Sequence, residues 1–188
     1  MPANIIEESR TMPAISRETS TLLLVDFQSR LMPVIDGGPS IVANARRLLD
    51  AAVLLDVPVL ITEQNAGGLG ATLPELRSHA DGGAHKMTFD ACRTPGFFER
   101  LPDRLDLIVC GCETHVCVLQ TVLGLLQSGR RVFAVRDALG SRRPESKETA
   151  IRRMERNGAE IVTTEMVVFE WLETAEDERV RDVIALIK

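Results

Sequence analysis

The sequence predicts an α/β fold: a three-layer α/β/α sandwich in which helices cover both faces of a parallel sheet of about six strands. Two observations lead to this prediction. Short aliphatic runs of strand length alternate along the chain with amphipathic segments of helix length, as they do in βαβ units. Hydrophobic residues make up 45% of the 188 residues, but aromatic residues only 4%. Such a composition suits the aliphatic core of a buried parallel sheet.

Six segments have the length and apolar content of strands. The first, residues 21–26, is a continuous apolar run that ends in an acid, which is typical of a strand buried on both faces. The third, residues 84–88, is the weakest by pattern alone. In chain order the predicted strands are 21–26, 57–62, 84–88, 105–111, 131–136 and 159–163.

The predicted helices show apolar side chains at intervals of three and four residues. One opens at Pro39, a residue favoured in a first helical turn. Another covers residues 114–127 and is followed by Gly129, a residue favoured just after a helix. The remaining helical segments are 72–77, 144–156, 165–172 and 176–187.

The chain divides into an N-terminal tail, residues 1–19, and a single domain, residues 20–188. With 22 basic and 27 acidic side chains, the net charge is −5, and no basic cluster is present, which argues against nucleic acid as a partner. No apolar run reaches the roughly 18 residues of a membrane span. The N-terminus lacks the apolar core of a secretory signal. We therefore expect a cytoplasmic protein with no membrane contact, whose four cysteines are reduced.

Reactive side chains follow the carboxyl ends of the predicted strands, where ligands bind in open parallel sheets. Asp26 ends the first strand and residues 62–64 end the second. Lys86 lies in or just after the third strand. Cys117 follows the fourth strand and Asp137 ends the fifth. A functional site is therefore expected at this edge of the sheet.

Cys117 lies in the first turn of the predicted helix 114–127. The free amides and the dipole of a helix N-terminus, together with the Lys86 ammonium, would lower the pKa of a thiol and hold an oxyanion. Asp26 would take the thiol proton and pass it to a leaving group. The alternative is that Cys117 is a small buried core residue, Asp26 a cap and Lys86 a solvated loop residue. Spacing alone does not separate these interpretations.

Neither a dinucleotide nor a zinc ion fits the sequence pattern. The glycine-rich segment 65–73 lacks the third glycine of a G-x-G-x-x-G loop, and no Walker lysine is present. Cys110, Cys112, His115 and Cys117 are zinc-ligand types, but their spacing is not that of a C-x-x-C knuckle. We predict no cofactor and no metal site.

Three segments resemble the isochorismatase-like cysteine hydrolases. Residues 109–118, VCGCETHVCV, are similar to the nucleophile segment of that family. Residues 22–28, LLLVDFQ, look like its opening strand with an Asp-x-Gln, and Lys86, preceded by His85, fits the place of the family lysine. The resemblance covers residues 21–172, most of the chain.

The resemblance implies a catalytic triad of Asp26, Lys86 and Cys117. In amide-cleaving members of the family the cysteine attacks the carbonyl carbon, the aspartate acts as base and then acid, and the lysine stabilises the charged groups. Water then hydrolyses a thioester intermediate. The resemblance also implies a cis peptide bond between Cys112 and Glu113, with the amides of Glu113 and Cys117 forming an oxyanion hole.

The sequence departs from two well-known branches of the family. Residues 62–65, TEQN, lack the Asp-x-His metal motif of nicotinamidases, and isochorismatase proper lacks a thiol at the position of Cys117. We therefore expect a cofactor-free hydrolase of a small carboxamide or related C–N bond. A pocket shaped by side chains after the strands would hold this small-molecule substrate, and the residues expected there are Phe27, Gln28, Gln64 and Phe89.

The resemblance also implies a homo-oligomer, since members of the family commonly associate. Two other functions remain open at this point. The protein could be a catalytically silent binding protein on the same scaffold. It could also be a thiol redox protein that pairs Cys117 with Cys112.

Overall fold

The computed structural model describes residues 14–77 and 83–188. At its centre is a six-stranded sheet of order β3-β2-β1-β4-β5-β6, in which all neighbouring strands are parallel. The strands are Ser20–Val25 (β1), Val59–Gln64 (β2), Ala84–Lys86 (β3), Asp106–Cys112 (β4), Arg131–Gly140 (β5) and Glu160–Val162 (β6). The predicted fold class is confirmed.

Helices of the described ranges connect the strands and cover the sheet. They are Gly38–Leu54 (α1), Ala66–Leu69 (α2), Phe97–Arg100 (α3), Leu119–Gln127 (α4), Pro144–Arg156 (α5), Thr164–Leu172 (α6) and Val180–Ile187 (α7). Helices α1, α6 and α7 pack on one face of the sheet, and α3, α4 and α5 on the other. This makes the three layers.

The side chains of β1 point alternately into the hydrophobic cores on the two faces of the sheet. Leu22 and Leu24 are fully buried under α1, whereas Leu23 and Val25 are fully buried on the α4 side. Successive side chains of a strand point to opposite faces, so a strand covered on both sides must be apolar throughout. The continuous apolar run read from the sequence is explained by this double burial.

The order of the strands places a topological switch point between β1 and β4. From β1 the chain builds β2 and β3 on one side, and β4, β5 and β6 then extend the sheet on the other. The crevice beyond the carboxyl ends of two such strands is the usual ligand position in open α/β sheets. Asp26 and the segment leading to Cys117 emerge there.

Two unusual backbone conformations mark this crevice. Gly111 in β4 has φ 144°, and a Cβ atom at that position would overlap the carbonyl group of Val25 in β1. Only glycine accepts both the conformation and the close approach. Asp26, the residue that follows Val25 at the end of β1, has φ 56°, a left-handed conformation that is uncommon outside glycine. The backbone thus fixes the distance between the ends of β1 and β4.

Element bounds differ from the sequence prediction in ways that matter for the site. Strand β2 continues to Gln64, because Gln64 pairs with Lys86 of β3 even though its side chain is polar. Strand β5 continues to Gly140, which pairs with Cys112 beyond a shift in the register between β4 and β5. The helix predicted at 72–77 is a 3-10 turn, Pro74–Leu76. A π-helical turn, Thr114–Val118, precedes α4.

Part of the predicted tail packs against the domain. Ile15 is only 2% exposed, and its amide donates a hydrogen bond to the Glu170 carboxylate at 2.6 Å. Arg17 donates to Asp177 at 2.9 Å. Residues 1–13 lie outside the described residues. Ile15 is an isolated apolar residue in a polar segment without hydrophobic periodicity, so the packing of the tail could not be predicted from the sequence.

Candidate active site

Asp26 is a fully buried carboxylate at the carboxyl end of β1. Its Oδ1 accepts a hydrogen bond from the Thr62 hydroxyl at 2.7 Å, and its Oδ2 accepts one from the Lys86 ammonium at 2.7 Å. Since β1 and β2 are neighbours, the parallel register brings Thr62 beside the end of β1. Each oxygen therefore has one partner, and a carboxylate oxygen can accept more than one hydrogen bond.

Lys86 ends β3 and is only 4% exposed. Its Nζ donates to Asp26 and, at 2.8 Å, to Oε1 of Gln64. The Gln64 side chain is itself held, because its Nε2 donates to the carbonyl of Met87 at 2.9 Å. A buried ammonium is costly unless it is paired and hydrogen-bonded. These contacts fix Lys86 as the cationic half of a buried ion pair.

Cys117 lies in the π-helical turn that follows β4, and it is 6% exposed. Burial and, to a smaller extent, the Asp26 carboxylate raise the pKa of its thiol, the Lys86 ammonium lowers it, and the net result is a pKa raised to about 12. The sequence-based expectation of a lowered thiol pKa is wrong, since burial and the carboxylate outweigh the cation. At neutral pH the thiol keeps its proton, and any nucleophilic attack requires a base.

The backbone before Cys117 is irregular. The peptide bond between Cys112 and Glu113 is cis. The carbonyl of Glu113 accepts hydrogen bonds from the amides of Val116 at 3.0 Å and Val118 at 3.3 Å. The amide of Cys117 lies between these two and takes part in neither bond. Amides in the first turn of a helix lack acceptors within that helix and are available to a ligand.

A cavity of about 310 Å³ lies over Cys117. Gln64 and Phe89, two of the four residues expected in the pocket, line this cavity. The other two, Phe27 and Gln28, lie outside it, and both are fully buried. Gln28 instead braces the site from behind, where its Nε2 donates to the Gln64 carbonyl at 3.0 Å and its Oε1 accepts from the Gln64 amide at 2.8 Å.

One wall of the cavity is made by two loops that pair with each other. The loop after β1 runs against the glycine-rich segment 65–73. The amide of Ser29 donates to the Ala71 carbonyl at 3.0 Å, and the amide of Arg30 donates to the Leu69 carbonyl at 3.0 Å. A pairing between loops that are distant in sequence leaves no local pattern, so it was not predicted.

Three polar residues of the site were not predicted from the sequence. Thr62 was noted only as a strand end, yet its hydroxyl holds Asp26. Arg142 was not singled out because it begins a charged run; its amide and Nε donate to Oε2 of Glu113 at 2.9 and 3.1 Å, and it lines the cavity with Cys117. Arg30 lines it too. Because the predicted strand ended at residue 136, no sequence pattern pointed to Arg142, which lies two residues beyond the observed end of β5.

Within the described part of the chain, no group of three or more His, Cys, Asp or Glu side chains is arranged to hold a metal ion. The four residues considered as zinc ligands form no such group. All four cysteines are free thiols. Across residues 14–77 and 83–188, no helix has the length and apolar character needed to cross a membrane.

The fold and the site together define a class of protein: a parallel α/β sandwich with a buried Asp–Lys pair beside a cysteine at its switch point. The model of the isochorismatase domain matches residues 20–166, and the chain belongs to the isochorismatase family. Mouse isochorismatase domain-containing protein 2A is 37% identical to this chain over 91% of its length and 84% of the mouse protein.

Two solved structures share the fold. The MAR1 ribonuclease from Caenorhabditis elegans has a TM-score of 0.88 and 34% identity, covering 93% of this chain and 92% of that one. The YcaC gene product from Escherichia coli, described as an octameric hydrolase of unknown specificity, has a TM-score of 0.82 and 25% identity, covering 93% and 87%. The family is thus one that includes hydrolases, and a related structure is octameric.

Proposed function

We propose that this protein is a cysteine hydrolase that cleaves a small carboxamide, or a related C–N bond, through a thioester. One observation carries the proposal: the Cys117 thiol lies at a cavity, acted on by the buried pair of Asp26 and Lys86. A nucleophile, a base and a cation at one point are the requirements for acyl transfer.

In the first half of the proposed reaction, Asp26 takes the thiol proton as the sulfur attacks the carbonyl carbon. The raised pKa of Cys117 makes this transfer necessary. The amides of Glu113 and Cys117 donate to the oxyanion of the tetrahedral intermediate. Asp26 then gives its proton to the leaving nitrogen, the C–N bond breaks, and the acyl group remains on sulfur as a thioester.

In the second half, Asp26 accepts a proton from water as the water oxygen attacks the thioester carbon. The C–S bond breaks, the acid product leaves, and Asp26 returns the proton to the sulfur. Lys86 keeps Asp26 oriented throughout and balances its charge in a site where a lone carboxylate would be costly. Atoms balance to one water consumed and one amine or ammonia released.

The size of the cavity limits the substrate. Ligand pockets commonly measure about 300 to 1,000 Å³, and the 310 Å³ here is at the lower end. We therefore propose a small molecule as substrate. RNA, suggested by the name of the nematode structure, is disfavoured by the net charge of −5, because nucleic acid binding depends on basic side chains.

We also propose that the protein forms a homo-oligomer, supported by the octameric state of the related Escherichia coli protein. Cytoplasmic location remains a prediction from the sequence. The choice between an active hydrolase and a silent binding protein depends on turnover, which the following experiment measures.

The test is an ammonia-release screen over small primary amides, run with the wild-type protein, Cys117→Ala and Cys92→Ala. We expect wild type and Cys92→Ala to release ammonia from the same amides at equal rates. Cys117→Ala should lose at least about 10³-fold in kcat/KM. Intact-mass analysis of rapidly quenched wild type should show a single acyl adduct, located on Cys117.

Full activity of Cys117→Ala would show that Cys117 is not the nucleophile. Absence of turnover with every amide, together with no acyl adduct, would instead favour the silent binding protein. Reversible loss of two thiols on mild peroxide treatment, with Cys112 and Cys117 joined in the peptide map, would support the redox alternative.

A further inference from the structure

Two arginine side chains from different loops meet the cavity over Cys117. Arg30 comes from the loop after β1 and Arg142 from the segment directly after β5. Neither belongs to the pair of charged residues that the proposed chemistry uses. With Arg30, Arg142 and one carboxylate, Glu113, in its lining, the cavity has a rim with a net positive charge.

Arg142 is anchored but keeps donors free. Its amide and Nε both donate to the same oxygen of Glu113, at 2.9 and 3.1 Å. Among the described residues, its two Nη atoms donate no hydrogen bond. The single negative charge of Glu113 is paired with Arg142 and therefore does not also neutralise Arg30.

Arg30 is anchored by neutral groups. Its Nη1 donates to the carbonyls of Gly67 and Gly68, at 3.2 and 3.1 Å. In the part of the chain that the structure describes, no carboxylate forms a salt bridge with Arg30. Arg30 therefore lines the cavity with a positive charge that these carbonyl contacts do not neutralise.

The remaining charges at the site cancel. Asp26 and Lys86 form a neutral pair beneath the cavity, and Glu113 is balanced by Arg142, so Arg30 leaves a net charge of about +1. Other parts of the lining are apolar, made by Leu31, Val34, Leu69 and Val116. A cationic rim over apolar walls complements a small molecule with one anionic end.

We infer that the substrate carries a carboxylate in addition to its scissile amide, and that Arg30 and Arg142 bind that carboxylate. The inference rests on the proposed function. The amide carbonyl lies at Cys117, and a short apolar skeleton separates it from the anionic end. Arginine suits this role because its planar group binds a carboxylate through two hydrogen bonds.

The first test compares substrates that differ in charge. Succinamate is assayed against its methyl ester, with wild type, Arg30→Gln, Arg142→Gln and, as a matched control on an exposed face of α5, Arg152→Gln. We expect kcat/KM of wild type and Arg152→Gln to favour succinamate by about tenfold or more, a typical effect of a charge-assisted hydrogen bond. Both cavity variants should lose this preference through KM.

The second test needs no turnover. The rates at which iodoacetate and iodoacetamide alkylate Cys117 are measured by peptide mass spectrometry, with Cys92 of the same chain as internal reference. The ratio of the two rates at Cys117 should fall about tenfold in Arg30→Gln and Arg142→Gln. The ratio at Cys92 should not change.

The outcomes separate the two proposals. An unchanged ratio at Cys117 in both variants, or equal turnover of the charged and neutral amides by wild type, would overturn the carboxylate site while leaving the hydrolase intact. A changed ratio with no turnover of any amide would support the anion site and overturn the hydrolase. A loss of preference in Arg142→Gln alone would reduce Arg30 to an anchor of its loop and overturn the two-arginine site.

Discussion

Two buried carboxylates, Asp26 and Asp106, lie at opposite ends of neighbouring strands and illustrate two uses of the same chemistry. Asp26 follows the carboxyl end of β1, and Asp106 begins β4. Both are fully buried, and both have a cation and a threonine hydroxyl as partners. The partners are Lys86 and Thr62 for Asp26, and Arg131 and Thr19 for Asp106.

The difference lies in how completely each carboxylate is capped. Arg131 spans both oxygens of Asp106, with Nε at 2.5 Å and Nη2 at 2.6 Å. Lys86 is a point charge on one oxygen of Asp26, at 2.7 Å, and it shares its remaining donors. Only Asp26 acts on a thiol. Burial and charge alone therefore do not identify a reactive site. The proposed site differs in having a carboxylate whose oxygens each accept one hydrogen bond, beside a thiol and a cavity.

The strongest challenge to this comparison is to neutralise each carboxylate in turn. Asp26→Asn should lower kcat/KM by at least about 10³-fold, because an amide cannot accept the thiol proton. Asp106→Asn should leave kcat/KM within a few-fold. It should lower the free energy of unfolding by about 3 kcal/mol, because the largely buried Arg131 guanidinium loses its charged partner.

Amide turnover and urea unfolding measure the two effects. The comparison breaks if Asp106→Asn loses activity while its unfolding free energy is unchanged, or if Asp26→Asn keeps activity. Asp26→Asn also leaves Lys86 without its partner, so its unfolding must be followed and rates referred to folded protein.

The pH dependence of the thiol sharpens the comparison. Because burial and then Asp26 raise the pKa of Cys117 to about 12, the thiolate fraction should rise about tenfold per pH unit up to that value. Its alkylation by iodoacetamide should thus increase about 100-fold between pH 8 and pH 10. In the urea-unfolded chain, the rate should level off near the ordinary pKa of about 9.

Substitution shows which carboxylate is responsible. Asp26→Asn removes a negative charge from the thiol, so its pKa should fall and alkylation at pH 8 should speed up. Asp106→Asn should leave the alkylation profile of Cys117 unchanged. A profile that levels off at pH 9 in the folded wild type would contradict the raised pKa.

The smallest expected effect concerns the two hydroxyl partners. Thr62→Val should lower kcat by about tenfold with KM unchanged, since Asp26 loses the bond that orients it. Thr62→Ser should restore most of the rate. Thr19→Val should cost about 1 kcal/mol of unfolding free energy and leave kcat unchanged. An unchanged kcat in Thr62→Val, with only a higher KM or a lower free energy of unfolding, would show that Thr62 has a structural role alone.

Residues that follow apolar runs were the easiest to place from the sequence. The doubly buried β1 gave Asp26, and the segment 109–118 gave Cys117, since both depend on local pattern and resemblance. The pKa of Cys117 was predicted in the wrong direction, because depth of burial and the approach of Asp26 are properties of the folded chain. Arg142 was overlooked because a charged residue at the start of a charged helix looks solvated.

Pairing between the loop after β1 and the glycine-rich segment has a consequence for protein engineering. Ser29 and Arg30 are bonded to Ala71 and Leu69, whereas Asp26 and Lys86 are attached to the sheet itself. The two loops therefore form one structural unit that would have to be transferred to another protein together. To change selectivity, both loops should be exchanged together, because replacing one leaves the other without its backbone partner, while the proposed catalytic groups at the strand ends stay in place.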